Sequence, residues 1–182
     1  PPQYTLATMD PKLLTPKLRK LLPTLLEGGF VNRAENLLAF GLPGRGKTHY
    51  AAAIGKELIL RHNMSVLFTS TFKLVEKLLN AKKELALENA LKKLDRFDVV
   101  ILDDIGYVQQ SREEVEVLFT FLAERYERKS LIITSNLVFS KWDQIFKDSM
   151  TTMAAIDRLI HHSIILDFPG PSIREFLKQK EQ

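Results

Sequence analysis

The stretch Gly41-Leu42-Pro43-Gly44-Arg45-Gly46-Lys47-Thr48 decides how this chain folds. It matches G-x-x-x-x-G-K-[ST] at every fixed position. Glycines let the backbone curl until successive N–H groups face one anion. Lys47 adds a mobile cation for the β and γ phosphates, and Thr48 adds a hydroxyl for Mg²⁺. A helix starting there turns its positive end toward the same anion. A chance match in a chain with ordinary glycine content has odds of roughly one in a few hundred. The flanks reduce those odds further. Asn36-Leu37-Leu38-Ala39-Phe40 precedes as a short apolar strand, and 48–61 follows as a helix with Tyr50, Ala51, Ile54 and Leu58 on one face. The expected ligands are ATP (or GTP) and Mg²⁺, held by Gly41 through Thr48 with His49. Arg45, at the apex of the loop, is expected to face solvent.

Outward from this loop, the pattern repeats. Val66-Leu67-Phe68-Thr69, Val99-Val100-Ile101-Leu102, Leu131-Ile132-Ile133-Thr134 and Ile164-Ile165-Leu166 read as further strands. Between them, 72–96 reads as one Lys-rich helix. Ser111 and Glu114 make a capping box for another, which places Val115, Leu118, Phe119 and Leu122 on one face. Continuously apolar strands alternating with helices predict an α/β fold, with a parallel sheet covered on both faces. Residues 1–35 form a Pro-punctuated lead-in with one helical stretch, stopped by Gly28-Gly29, and 36–182 forms the core.

Composition sets the outer limits. At 182 residues and 45% hydrophobic, the chain supports one ordinary domain rather than two. It has no cysteine, which excludes disulfide scaffolds and thiolate metal sites and fits a cytoplasmic protein. No apolar run approaches the ~18 residues of a membrane span, and the start lacks a signal-peptide pattern. Pro1-Pro2-Gln3-Tyr4 reads as an internal start, as in a domain of a longer protein. The net charge of +4 is compatible with nucleic acid without demanding it.

Four other positions carry candidate chemistry. Asp103 ends an apolar strand, where an aspartate can hold Mg²⁺, and Asp104 beside it is placed to orient or activate water. Asn136 ends the next strand, where an amide reaches both the γ-phosphate and that water; a capping asparagine fits the same place. Arg158 lies on a predicted helix before the last strand. It reads equally as an arginine that stabilises transition-state charge and as a surface ion-pair partner. His161-His162 raises the question of a metal. However, neighbours on a helix point about 100° apart and no acid accompanies them in sequence, which favours a helix-end or interface role.

Taken together, these motifs resemble the AAA+ domain of the IstB-like transposition ATPases, with the DnaC-type helicase loaders as relatives in kind. The resemblance runs from about Thr5 to Arg174. It rests on Gly28-Gly29-Phe30, the glycine-rich loop with Thr48-His49, Asp103-Asp104-Ile105-Gly106-Tyr107, and Glu124-Arg125-Tyr126-Glu127-Arg128. Thr134-Ser135-Asn136, Asp157-Arg158-Leu159-Ile160-His161-His162 and Ser172-Ile173-Arg174 complete it. Asp104 stands where many AAA+ proteins carry Glu, and Ile173 replaces a frequent Tyr.

The resemblance implies a three-layer P-loop NTPase fold with a parallel five-stranded sheet of order 5-1-4-3-2. It implies an ATPase with Lys47, Asp104, Asn136 and Arg158 as its catalytic residues. Thr48 and Asp103 would hold Mg²⁺, Arg158 would act in trans within a homo-oligomer, and Arg174 would contact nucleotide in cis. The implied partners are double-stranded DNA and a transposase. In related initiators and loaders the segment matching 73–96 holds helices that face the central channel of the oligomer, which makes Lys73, Lys77, Lys82 and Lys83 candidate phosphate contacts; a solvated helix face is the plain alternative. A helicase loader, or a nucleotide-gated DNA-binding scaffold with negligible turnover, would use the same engine.

Overall fold

The computed structural model describes residues 1–106, 111–137, 141–142 and 149–170. Five strands form one parallel sheet: β1 (Asn36–Gly41), β2 (Val66–Ser70), β3 (Val99–Ile105), β4 (Ser130–Ser135) and β5 (Ser163–Phe168). They lie in the order β2-β3-β4-β1-β5, which is the expected 5-1-4-3-2 order viewed from the other edge. The helices are α1 (Pro16–Leu26), α2 (Gly29–Asn32), α3 (Lys47–His62), α4 (Thr71–Lys83), α5 (Leu87–Leu94), α6 (Arg112–Arg125) and α7 (Ser149–His161).

Alternation along each strand divides the core between two faces. Leu38, Phe40, Val100, Leu102, Leu131 and Ile133 pack under α4, α5 and α6. Leu37, Ala39, Val99, Ile101 and Ile132 pack under α3 and the lead-in residues Leu14, Leu18, Leu25, Leu26 and Phe30. Both faces are covered, which is why the strands read as unbroken apolar runs. Among the described residues, no helix is long and apolar enough to cross a membrane.

Helix ends follow local chemistry. Ser111 Oγ accepts from the Glu114 N–H and starts α6. Asn63 closes α3 in the left-handed region, behind Arg61 and His62 in the last turn.

Two elements differ from the sequence reading. The lead-in helix stops before Gly28-Gly29 as expected, with Gly28 at φ +77°, but a second short helix, α2, begins directly behind it. The 72–96 helix is two helices, because Leu85 adopts φ +57° and turns the chain before Ala86. A straight helix of that length would run ~37 Å, beyond the sheet it covers. The turn lets Ala90, Leu91 and Leu94 pack on the same core as Leu74, Val75 and Leu78. Neither Gly nor Pro marks the break, so the sequence gives no signal for it.

Arg125 is a structural centre that the sequence conceals. At 1% exposure, its guanidinium donates to the carbonyls of Leu94 and Phe97 and to that of Ser130, each at 3.0 Å. It thereby ties the end of α5, the approach to β3 and the start of β4. Desolvation lowers its pKa to about 10, an effect that Asp95 partly offsets. Arg125→Ala would strand those carbonyls, and the expected loss is about 3–5 kcal/mol of stability, as for removal of one partner from a buried charged network. Chemical denaturation measures it, and a loss within the error of the extrapolation would contradict this role.

Candidate functional site

In a parallel sheet the strand ends that share one edge carry the loops where ligands bind. The order β3-β4-β1 brings three such ends together: Asp103 on β3, Asn136 after β4, and the glycine-rich loop after β1. A cleft of about 420 Å³ opens there, lined by Pro43, Gly44, Gly46, Lys47, Thr48, His49, Asp104 and Asn136, with Tyr4 and Leu13 from the lead-in.

Two glycines are required by geometry. Gly46 caps α3 at φ +93°, a conformation that L side chains rarely adopt. Gly41 passes so close to β5 that a Cβ would stand 2.3 Å from the Phe168 carbonyl oxygen. Lys47 is 5% exposed and its Nζ donates to Gly41 O at 2.6 Å, Leu42 O at 2.8 Å and Asn136 Oδ1 at 2.9 Å. Burial lowers its pKa, and the charges of Asp104 and Asp103 partly restore it.

The acidic pair sits on a β-bulge. Leu102 pairs with Ile133, but Ile105 pairs with Ser135, so β3 carries one residue more than β4 across this step. Asp104 takes φ +61° at the bulge. Thr134 fills the gap: its hydroxyl donates to Asp103 Oδ1 at 2.7 Å and accepts the Asp104 N–H at 2.9 Å. Thr48 Oγ1 donates to the same Asp103 oxygen at 2.8 Å. The Asp104 side chain is open to the cleft, yet partial burial raises its pKa. The Asp103 charge adds to this, and Lys47 offsets part of it.

Several candidates land elsewhere than the sequence suggested. Arg45 does not face solvent; it is half-buried and its guanidinium lies against Gly170 beyond β5. Leu42 turns its side chain outward at 51% exposure and contributes only its carbonyl. His49 Nε2 is within hydrogen-bond distance of Thr5 O at 2.8 Å and Thr8 Oγ1 at 3.1 Å, and Tyr4 packs on the ring; the histidine fastens the lead-in over the cleft.

Arg158 is outside this cleft. It lines a separate recess with Asn36, Phe119 and Tyr126, its guanidinium carbon 5.2 Å from the centre of the Phe119 ring. Arg174 and Tyr107 lie outside the described residues. Lys73 and Lys77 line a groove of about 590 Å³ between α4 and α5, shared with Glu76 and Glu84. Lys82 instead meets Glu116 of α6 at 3.3 Å, and Lys83 is exposed.

The histidine pair stands at a helix end as expected, but not without an acidic partner. The helix ends at His161, so His162 escapes helical geometry, and Glu127 arrives from the turn behind α6.

Sequence reasoning passed over Thr134 as a positioning group and Tyr4 and Leu13 as cleft walls. Thr134 had a signal, since it stands two residues before Asn136 next to a strand end. Tyr4 and Leu13 had none, because only the folded lead-in brings them there.

The comparisons agree with this architecture. A family described as "IstB-like ATP binding protein" matches residues 1–182. A putative insertion sequence ATP-binding protein of Sinorhizobium fredii is 49% identical over 142 residues, 78% of this chain and 47% of that protein. The insertion sequence IS21 putative ATP-binding protein of Pseudomonas aeruginosa is 42% identical over 164 residues, 90% of this chain and 61% of that protein. The chain thus spans about half to three fifths of these relatives' length. Among solved structures, the DnaC helicase loader superposes with a TM-score of 0.73 at 23% identity, covering 92% of this chain and 97% of the other. DnaA of Aquifex aeolicus bound to AMPPCP gives 0.71 at 19% identity, covering 100% of this chain and 54% of the other. At those identities the likeness is one of fold alone, and it is the AAA+ fold. Sheet order, glycine-rich loop and relatives converge, and the chain belongs to the IstB-like ATP-binding protein family.

Proposed function

We propose that this chain is the ATP-hydrolysing domain of a protein that assembles as a homo-oligomer on double-stranded DNA and helps or regulates a transposase. The observation that carries the reading is the meeting of Lys47, Thr48, Asp103, Asp104 and Asn136 in one cleft while Arg158 stands apart from it. Gly41 through Thr48 hold the phosphates with backbone N–H groups and Lys47. Thr48 and Asp103 already present two hard oxygens 2.8 Å apart, the donor type Mg²⁺ requires. An ion held by Thr48 and Asp103 would supply charge neutralisation and orientation for the phosphates. Asp104 orients water and takes its proton, and Asn136 positions the same water. Arg158 of one copy serves the cleft of the next, and Arg174 contacts nucleotide within its own chain.

Relatives whose names tie them to insertion sequences favour a transposase over a helicase as client. A cytoplasmic location belongs to the same proposal. Turnover measured across protein concentration, with and without duplex DNA, tests the core of it. No turnover under any condition would leave the nucleotide-gated scaffold as the reading. Retention of a transposase rather than a replicative helicase in a pull-down decides the client.

DNA contact is assigned to the α4–α5 groove, where Lys73 and Lys77 stand. Removing both charges should make the slope of log affinity against log salt shallower by about 2, near 0.9 per lost phosphate contact. An unchanged slope places the DNA elsewhere.

A further inference from the structure

A second cluster lies away from the nucleotide cleft, where the turn behind α6 meets the end of α7. Glu127, at φ +58° in that turn, brings its carboxylate to the two histidines. His162 Nε2 lies 2.8 Å from Glu127 Oε1, and His161 Nδ1 lies 3.8 Å from the same oxygen. The histidine rings stand 4.7 Å apart, centre to centre. One ligand atom from each of the three residues falls within 4.8 Å of the others. Tyr126 Oη, 2.7 Å from His161 Nδ1, fixes the orientation of that ring.

We propose that Glu127, His161 and His162 form a site for a borderline divalent cation of the zinc type. Zinc bound by imidazole nitrogens and a carboxylate at 2.0–2.2 Å sets neighbouring ligand atoms about 3.3 Å apart in tetrahedral geometry. The 2.8 and 3.8 Å separations from the Glu127 oxygen bracket that value. Imidazole is the characteristic donor for zinc, nickel and copper, whereas magnesium and calcium prefer oxygen. Tyr126 holds the ring of the empty site at His161 Nδ1, and an ion bound at that nitrogen displaces the tyrosine. Glu127 and His161 are exposed and His162 is half-buried, which leaves the site open to an ion and gives the fourth position to water. Two elements far apart in sequence contribute, so occupancy clips the α6–β4 turn to the end of α7. The site is independent of the nucleotide reading.

The test uses tag-free protein without nucleotide, in excess Mg²⁺ so that the Asp103–Asp104 edge does not compete. Titration with Zn²⁺ by calorimetry, and with Co²⁺ by visible absorption, should give one equivalent per chain. Glu127→Gln, His161→Ala and His162→Ala should each weaken binding at least ~10-fold, the loss seen even for outer partners. Far-ultraviolet circular dichroism and retained nucleotide binding confirm that the variants fold. Absence of saturable binding, or one equivalent that survives all three substitutions, would overturn the site.

Discussion

Arg158→Ala is expected to lower ATP turnover of the assembled protein by about 10³-fold or more while leaving nucleotide affinity of the isolated chain unchanged. An arginine supplied to a γ-phosphate is worth about 10³–10⁵ in rate in well-studied phosphoryl-transfer enzymes. Affinity is expected to hold because Arg158 lines a different recess from the glycine-rich loop. What it touches at home is the face of Phe119, and loss of such an exposed cation–π contact costs only ~0.5–1 kcal/mol. Unfolding of the variant should therefore barely move. Action in trans has its own signature. Mixing Arg158→Ala with Asp104→Asn creates interfaces in which an intact cleft meets an intact arginine, so part of the lost turnover should return. No recovery at any mixing ratio would mean that Arg158 serves its own chain, or serves only the surface.

The second large effect concerns Asp104. Asp104→Asn should cost about 10²–10⁴ in turnover, the range for a lost general base, with nucleotide still bound. The same change should raise the melting temperature of the empty, metal-free protein. Partial burial and the neighbouring Asp103 charge both disfavour the Asp104 carboxylate, which is why its pKa is raised. Asparagine removes the charge, and it adopts the left-handed region at least as readily as aspartate. The linkage follows from the sign of the shift. A raised folded-state pKa means that the folded protein binds this proton more tightly than the unfolded chain. The native domain therefore loses stability as pH rises from the ordinary aspartate range through the raised value. The advantage of Asp104→Asn should be full above that window and vanish below it. An unchanged melting temperature at neutral pH would show that Asp104 is not held under repulsion.

Much of this was legible in the sequence, for identifiable reasons. Val99–Leu102 and Leu131–Ile133 are apolar at every position because both faces of the sheet are covered, and that continuity announced a parallel sheet. Lys47 and Thr48 could be named from the glycine-rich pattern, and Asp103 and Asn136 because each follows an apolar run, where a topology of this kind gathers its loops. Side-chain destinations were harder to read. Arg125 was read only as part of the Glu124–Arg128 stretch that carries the family resemblance, yet it is a buried tie between three elements. Arg45 was read from its place at the apex of a loop, and the approach of Gly170 could not be foreseen. The histidines were judged by helical angles that do not apply past the end of the helix, and their acid is 34 residues upstream of His161. Long-range convergence of this kind leaves no mark on local spacing.

The extra residue in β3 has one more consequence. A hydrogen-bond ladder keeps count, one residue against one, and here the count slips between Leu102 and Ile105. Crystals contain similar faults, where one row holds an extra unit and the misfit stays confined to a short region. Such a fault can be removed only by changing the number of units, not by rearranging side chains. Losing either acid would let β3 and β4 run in step again and would yield a more regular sheet. The most orderly version of this sheet is thus one without its acidic pair, and Thr134 binds both edges of the misfit so that the pair persists.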